Sequence, residues 1–504
     1  MARGAVWVAI AAAAVAAVAG AGGEDHASVV APALSVRNGG GVPVEAKAAR
    51  QGKRTLLLVA DREAAGKYGR LTSALTARRH EVTVKSVDEV VALERYGEPV
   101  YDNVALLAPT AASFGGLSAA ALTAFVDAGG NLLAGGDVGV SAAFRELASE
   151  FGVDFDAPRS RVIDHFSYDT VGDRGRHTRV LTNAASAAAA VVGGGARAGP
   201  PIVYDGTGMV VAGDNILALR ALTASGTGYS AVASEAVKEY PQSVGSETVL
   251  VAAVQARNNA RATFTGSLYL LSDDAAEARV AAPGAGSAAG PTGNAAFVEA
   301  VVAWTFQEAG VLRARNLRHH HQDGSGAEQQ VEPGYKPDLP LSMFPEPEIA
   351  RNSLVYRIND AITFSVDVET YDAATGAWKP YVAADMQLEF VMLDPYIRVN
   401  LNASAAGHYV ADFTVPDTYG IYHFRVLYRR PGLTVLSLKE QVSVRPFRHD
   451  EYERFIVAAY PYYTAAFTIM AGVFVFAALF LFSSKATTPA AAARPAAPAS
   501  SSAK

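Results

Sequence analysis

The chain has 504 residues, half of them hydrophobic and 18% charged, a folded composition with length enough for more than one core. Its formal charge of -6 includes no basic run that would suit nucleic acid and no long acidic run. Cysteine is absent, which excludes disulfides, thiolate metal sites and cysteine nucleophiles together.

Residues 1–23 read as a cleaved secretory signal peptide. Arg3 precedes an apolar, alanine-rich run from Ala5 to Ala19, small residues follow, and the first acids are Glu24 and Asp25. From 53 to 180 strand and helix alternate. Residues 55–60 (TLLLVA), 81–87, 102–108 and 131–134 read as strands, and 67–79, 118–128 and 141–151 as helices. Gly129-Gly130 supplies a helix stop. That alternation predicts a doubly wound α/β domain on a parallel sheet.

A Gly/Ala loop at 185–199 opens a mostly-β extension over 200–318. Its strands are expected at 202–211, 248–254 and 261–271, with a loop at 275–293 and a closing helix at 297–308. Residues 319–350, polar and proline-bearing, read as a linker. Between 354 and 447 the period becomes two, as in Ile362, Phe364, Val366 and Val368, which predicts a β-sandwich.

Residues 464–482 carry no charge and are long enough to cross a bilayer as a helix. Tyr460, Tyr462 and Tyr463 stand before the span as interfacial anchors. Thr464, Thr468 and Gly472 recur every four residues and form a strip of small side chains, a candidate helix-packing face. With a signal peptide in front, the bulk is expected to be lumenal. The Ala/Pro/Ser-rich 483–504 is expected to be a disordered cytosolic tail. Asn402-Ala403-Ser404 makes Asn402 the candidate glycan acceptor.

Enzymatic parts do not assemble from this sequence. The stretch 125–137 (FVDAGGNLLAGGD) resembles the core of class I glutamine-amidotransferase-like folds, which need a cysteine this chain lacks. No G-x-S-x-G elbow occurs, and the glycine loops do not keep dinucleotide-binding spacing. Three consecutive histidines, His319, His320 and His321, would alternate faces in an extended segment, which disfavours one shared metal. Asp164, His165 and Asp169 could form an acid–base cluster, but no obvious nucleophile accompanies them in the same segment. The residues therefore call for no catalytic group, no metal and no cofactor.

Seven colinear segments carry the reading further: 96–103 (YGEPVYDN), 125–133 (FVDAGGNLL), 145–156 (RELASEFGVDFD), 162–169 (VIDHFSYD), 254–268 (VQARNNARATFTGSL), 394–401 (DPYIRVNL) and 452–463 (YERFIVAAYPYY). Their order and content resemble the 48 kDa subunit family of the oligosaccharyltransferase complex. The resemblance implies a non-catalytic, single-pass type I protein of the endoplasmic-reticulum membrane. It would support transfer of a preassembled glycan from dolichyl diphosphate to asparagine in N-x-S/T sequons. The implied partners are the other subunits, including a multi-spanning catalytic one, and membrane lipid, with the lipid-linked oligosaccharide as an open ligand. An alternative is a glycan-binding module recruiting donor or acceptor, which would need an aromatic-lined groove. Loops 275–293 and 319–348 look long for the family. The tail ends Ser502-Ala503-Lys504 without a di-lysine signal.

Overall fold

The computed structural model describes residues 52–322, 329–331 and 355–483, apart from 187, 194–197, 214, 236, 238–239, 285–288, 374 and 453–456. The signal peptide, most of the tail and most of the linker expected from sequence lie outside the described residues.

The first region is mixed α/β, built on a nine-stranded sheet among the described residues. Glu81–Ser86, Arg54–Val59, Asn103–Leu107, Asn131–Gly135 and Arg261–Thr265 lie side by side and parallel, in that order. The apolar run at 56–59 is continuous because both sheet faces are covered. Leu56 and Leu58 join a core with helices Ala119–Asp127 and Ala142–Glu150, through Leu122, Phe125, Phe144 and Leu147. Leu57 and Val59 join an opposite core with Leu71 and Leu75 of Gly69–Ala77 and Val302 of Asn294–Thr305. Ser118 and Ser141 cap their helices by accepting from Ala121 N and Phe144 N.

Most strands expected in the mostly-β extension instead complete this sheet, while Ile202–Tyr204 pairs with Val180–Thr182 outside it. Val249–Gln255 pairs antiparallel with Arg261–Thr265, and Met209–Val211 and Ala218–Thr223 pair with it in turn. Two expected strands are also shorter than read. Residues 202–211 break into Ile202–Tyr204 and Met209–Val211, and 261–271 stops at Thr265 before helix Leu268–Leu271. The cause is a close backbone crossing. A Cβ on Gly206 would meet Gly266 O at 2.2 Å, and one on Gly266 would meet Thr207 O at 2.2 Å, so two chain segments turn here at van der Waals contact. Segments 185–199 and 275–293 are not plain loops either. They hold helix Ala189–Val192, helix Asp273–Glu277, and the hairpin of Arg279–Val280 with Gly290–Pro291.

The second region is mostly β: two sheets that share one core. Ala361–Asp372 is central in one, with Leu312–His321 and His408–Thr414 on either side. In the other, Gly420–Tyr428 lies between Leu436–Arg445 and Gln387–Val391. Phe364 meets Phe424 at 5.3 Å, and Phe390 stacks on Tyr422 at 4.4 Å. The three histidines therefore belong to a paired strand rather than the start of a linker: His319 faces the core, while His320 and His321 are half-buried.

The regions join at one end of these sheets. Trp304 Nε1 donates to Gly432 O at 2.7 Å, Gln255 Nε2 to Leu433 O at 2.9 Å, and Val435 N to Asn259 Oδ1 at 2.7 Å. Gly432 has φ +80°, and a Cβ there would meet Val191 at 2.7 Å, so the turn that docks must carry glycine. Trp304→Ala is expected to cost about 3–5 kcal/mol, from lost aromatic packing and an orphaned carbonyl. Denaturant unfolding of the full chain in detergent, followed by circular dichroism, measures it.

Glu308 is buried against His80 Nε2 at 3.0 Å and Arg78 Nη1 at 3.0 Å. Burial alone would raise its carboxyl, but the hydrogen bonds and charges of His80 and Arg78 outweigh that and hold it low. A depressed carboxyl contributes stability that is complete above the unfolded value of about 4.3 and is lost as pH falls through the folded one. Glu308→Gln is thus expected to lower Tm at neutral pH. The gap to the parent should close progressively in a Tm series taken below about pH 4.3.

Candidate functional site

The most exposed apolar element is the helix Tyr460–Phe482, 23 residues long. At 1.5 Å per residue it spans about 34 Å, enough for a hydrocarbon core of about 30 Å. None of the apolar window spanning it is buried within the protein. Its only hydroxyls in mid-course are satisfied internally: Thr464 Oγ1 donates to Tyr460 O at 2.8 Å and Thr468 Oγ1 to Thr464 O at 2.7 Å. That removes the cost of bringing them into lipid. A Cβ on Gly472 would meet nothing within 4 Å, so Thr464, Thr468 and Gly472 present an open strip. Tyr460, Tyr462 and Tyr463 are exposed in the first turn, where Pro461 occupies a position that needs no donor.

Asn402 is exposed in the short edge strand Asn402–Ala403, opposite Val410. Ser404, the third sequon residue, is also exposed, in the tight turn that returns to His408. The two candidate features, sequon and membrane helix, belong to separate elements and form no common site.

The cluster at 164–169 orders loops. Asp164 is buried and accepts from Phe166 N, Ser167 N, Thr227 Oγ1 and Ser225 Oγ. Burial would raise its carboxyl, and these donors pull it below the ordinary range instead. Asp169 is buried, accepts from Val171 N, Gly172 N and Ala281 N, and pairs with Arg179 at 3.0 Å. Held by those donors, Asp164 makes a poor proton acceptor. His165 is exposed, between His177 Nδ1 at 2.6 Å and Tyr229 OH at 2.9 Å. His319 Nδ1 lies 2.7 Å from Tyr356 OH, and burial pushes its imidazole down to about 4. It is neutral at physiological pH.

Sequence reading missed a cleft of about 450 Å³ between Gly69–Ala77, residues 268–277 and Asn294–Thr305. Leu71, Leu271, Val298 and Val302 line its apolar part, and no aromatic ring does. Charged pairs rim it, Arg70 with Glu277 at 3.3 Å and Arg78 with Glu299 at 2.8 Å. Asp273 ties two walls together by accepting from Gly69 N and Arg70 N at 2.9 Å each. The walls come from segments some 200 residues apart, so the one local signal was the helix start at Ser272-Asp273-Asp274.

Comparison with known proteins places this architecture. The family model described as "OST48, N-terminal domain" matches residues 46–308, and "OST48 middle domain" matches 345–484. A Drosophila melanogaster protein is 39% identical over 411 residues, 80% of this chain and 85% of its own length. Relatives from Danio rerio and Arabidopsis thaliana are each 36% identical and cover 84% of this chain, and 90% and 92% of their own lengths. All three are named dolichyl-diphosphooligosaccharide–protein glycosyltransferase 48 kDa subunit. The chain belongs to the family of the 48 kDa subunit of dolichyl-diphosphooligosaccharide–protein glycosyltransferase.

Proposed function

We propose that this chain is a non-catalytic structural subunit of the endoplasmic-reticulum oligosaccharyltransferase complex. It supports transfer of the preassembled glycan from dolichyl diphosphate to asparagine of N-x-S/T sequons, while another, multi-spanning subunit performs the chemistry. The observation that carries this reading is the match to same-named relatives over 80–84% of the chain. The bulk of the chain is lumenal and the tail cytosolic. In this reading the α/β region is doubly wound and the second region a sandwich. The strip of Thr464, Thr468 and Gly472 packs on a partner helix, and Tyr460, Tyr462 and Tyr463 hold the lumenal end of the span at the interface. The alternative glycan-binding module calls for an aromatic-lined groove, and the cleft beside Gly69–Ala77 has no aromatic lining.

Purification of the tagged chain from its native membrane in gentle detergent is expected to bring a multi-spanning partner and transferase activity on an N-x-T peptide. The isolated chain is expected to transfer nothing. Purification of the chain alone, free of partner and activity, would reject the subunit reading. Asn402 is read as glycosylated on its exposed edge strand. The full chain should then drop in apparent mass on endoglycosidase treatment, and Asn402→Gln should migrate with the treated form and respond no further.

A further inference from the structure

The second region has two ends with different surroundings. One end carries the 429–435 turn docked on the α/β region through Trp304, Gln255 and Asn259. The other end collects four connections. Strand pairing of Val355 and Arg357 with Ser443 and Arg445 brings the 358–360 turn there. Pairing of Gly420 with Val444 brings the 415–419 loop, and pairing of Val391 with His423 brings the 392–394 turn. The fourth is the chain leaving Arg445 toward the membrane helix.

That exit is held down. Arg445 binds Glu451 through Nη1 and Nη2 of its guanidinium, at 2.6 and 2.7 Å. Arg357 lies over the Phe447 ring at 5.2 Å, and Phe447 packs on Tyr452 at 5.4 Å. The chain is thus fixed to this end as far as Tyr452, and helical structure resumes at Val457. Five residue steps reach at most about 18 Å. Since Tyr460–Phe482 is only a few ångströms longer than the hydrocarbon core, its start lies at the bilayer boundary. The end of the second region therefore cannot stand far from the headgroups.

That same end exposes apolar side chains that the core does not use. Leu393 at the tip of the 392–394 turn is 91% exposed and Tyr419 in the neighbouring loop 65%. Tyr396 and Ile421 are exposed beside them. Tyrosine and isolated leucine tips suit an interfacial layer of lipid, where an apolar body sinks and a polar group stays wet. Asp394 and Asp417, both exposed beside these tips, limit the depth to the headgroup layer.

We propose that the Leu393 and Tyr419 loops form a second membrane contact, resting on the headgroup and upper acyl layer of the bilayer that the C-terminal helix crosses. The inference rests on the membrane-anchored reading of that helix. With both contacts, the lumenal mass is supported at two points rather than through the helix alone.

The test places a benzophenone side chain at position 393, 419 or 427 of the full chain in microsomes whose phospholipids carry tritiated acyl chains. Leu427 is equally an exposed leucine, but it stands near the docked end of its strand, opposite Ser437. Positions 474 and 476, about 200° apart around the helix, report the span itself. Irradiation is expected to put tritium on the chain at 393 and 419, at 474 or 476, and not at 427. Label in the helix with none at 393 and 419 would overturn the second contact and leave the anchor intact. A protein adduct at 393 and 419 would overturn it in favour of a neighbouring subunit. No lipid label at either helix position would sink the anchor reading itself.

Discussion

A buried row of polar side chains along the beginnings of the parallel strands is what the rest of this structure leans on. Glu308 meets His80, and His80 Nδ1 lies 2.8 Å from Thr55 Oγ1. Asn103 Nδ2 reaches Thr55 Oγ1, Asn131 Nδ2 reaches Asn103 Oδ1, and Asn131 Oδ1 accepts from Arg261 N and Gln307 Nε2. Every member is buried. Arg261 ends the row with no carboxylate: its guanidinium donates to Trp304 O, Ala309 O and Gly310 O, over the Trp304 ring at 4.6 Å. Burial pushes it down to about 9, still well above neutrality, so it is charged at physiological pH. Carbonyls at the C-terminal end of Asn294–Thr305 carry the partial negative charge that such a cation needs. A network this deep is costly if half-made, and so it fixes one register of strands, helix end and exit chain at once.

From that row the order passes directly to the second region. Arg261 fixes the carbonyls of Ala309 and Gly310, just where the chain leaves the first region. Its helix-end partner Trp304 donates to Gly432. Leu436–Arg445 then runs ten residues from this joint to the opposite end of the second region. At about 3.3 Å per residue the β region is a spacer of roughly 33 Å, stiffened by a two-sheet core. In the proposed subunit role such a spacer keeps partners in place, because positioning fails when the joint rocks.

The alternating strands and helices of 53–155, the period-two strands of the second region and the apolar span were legible because each depends on local pattern. Ser118 and Ser141 even marked helix starts to within a residue. What could not be read was long-range. Asn103 and Asn131 fall within expected strands, but only their pairing with each other across 28 positions gives them a buried amide partner. Thr265 to Leu271 kept a strand-like composition, yet the chain turns at Gly266 because Thr207 O crosses there. The histidines at 319–321 sat in a polar stretch and read as linker. Their pairing with residues 362–364 makes them strand, which no local rule foresees. The candidate site divides the same way: the helix and the sequon were visible, and the cleft and the apolar loop tips were not.

The two joints of the spacer are made of different chemistry, and that sets how each behaves. The joint to the α/β region uses uncharged hydrogen bonds between side chains and backbone groups, which salt does not screen. The joint to the membrane uses Arg445 and Glu451 near the surface, where the Arg445 guanidinium and the Arg448 backbone N–H hold the glutamate at about 2. Such a pair survives any physiological pH but weakens as ionic strength rises. The joint below the second region is therefore the more salt-sensitive of the two.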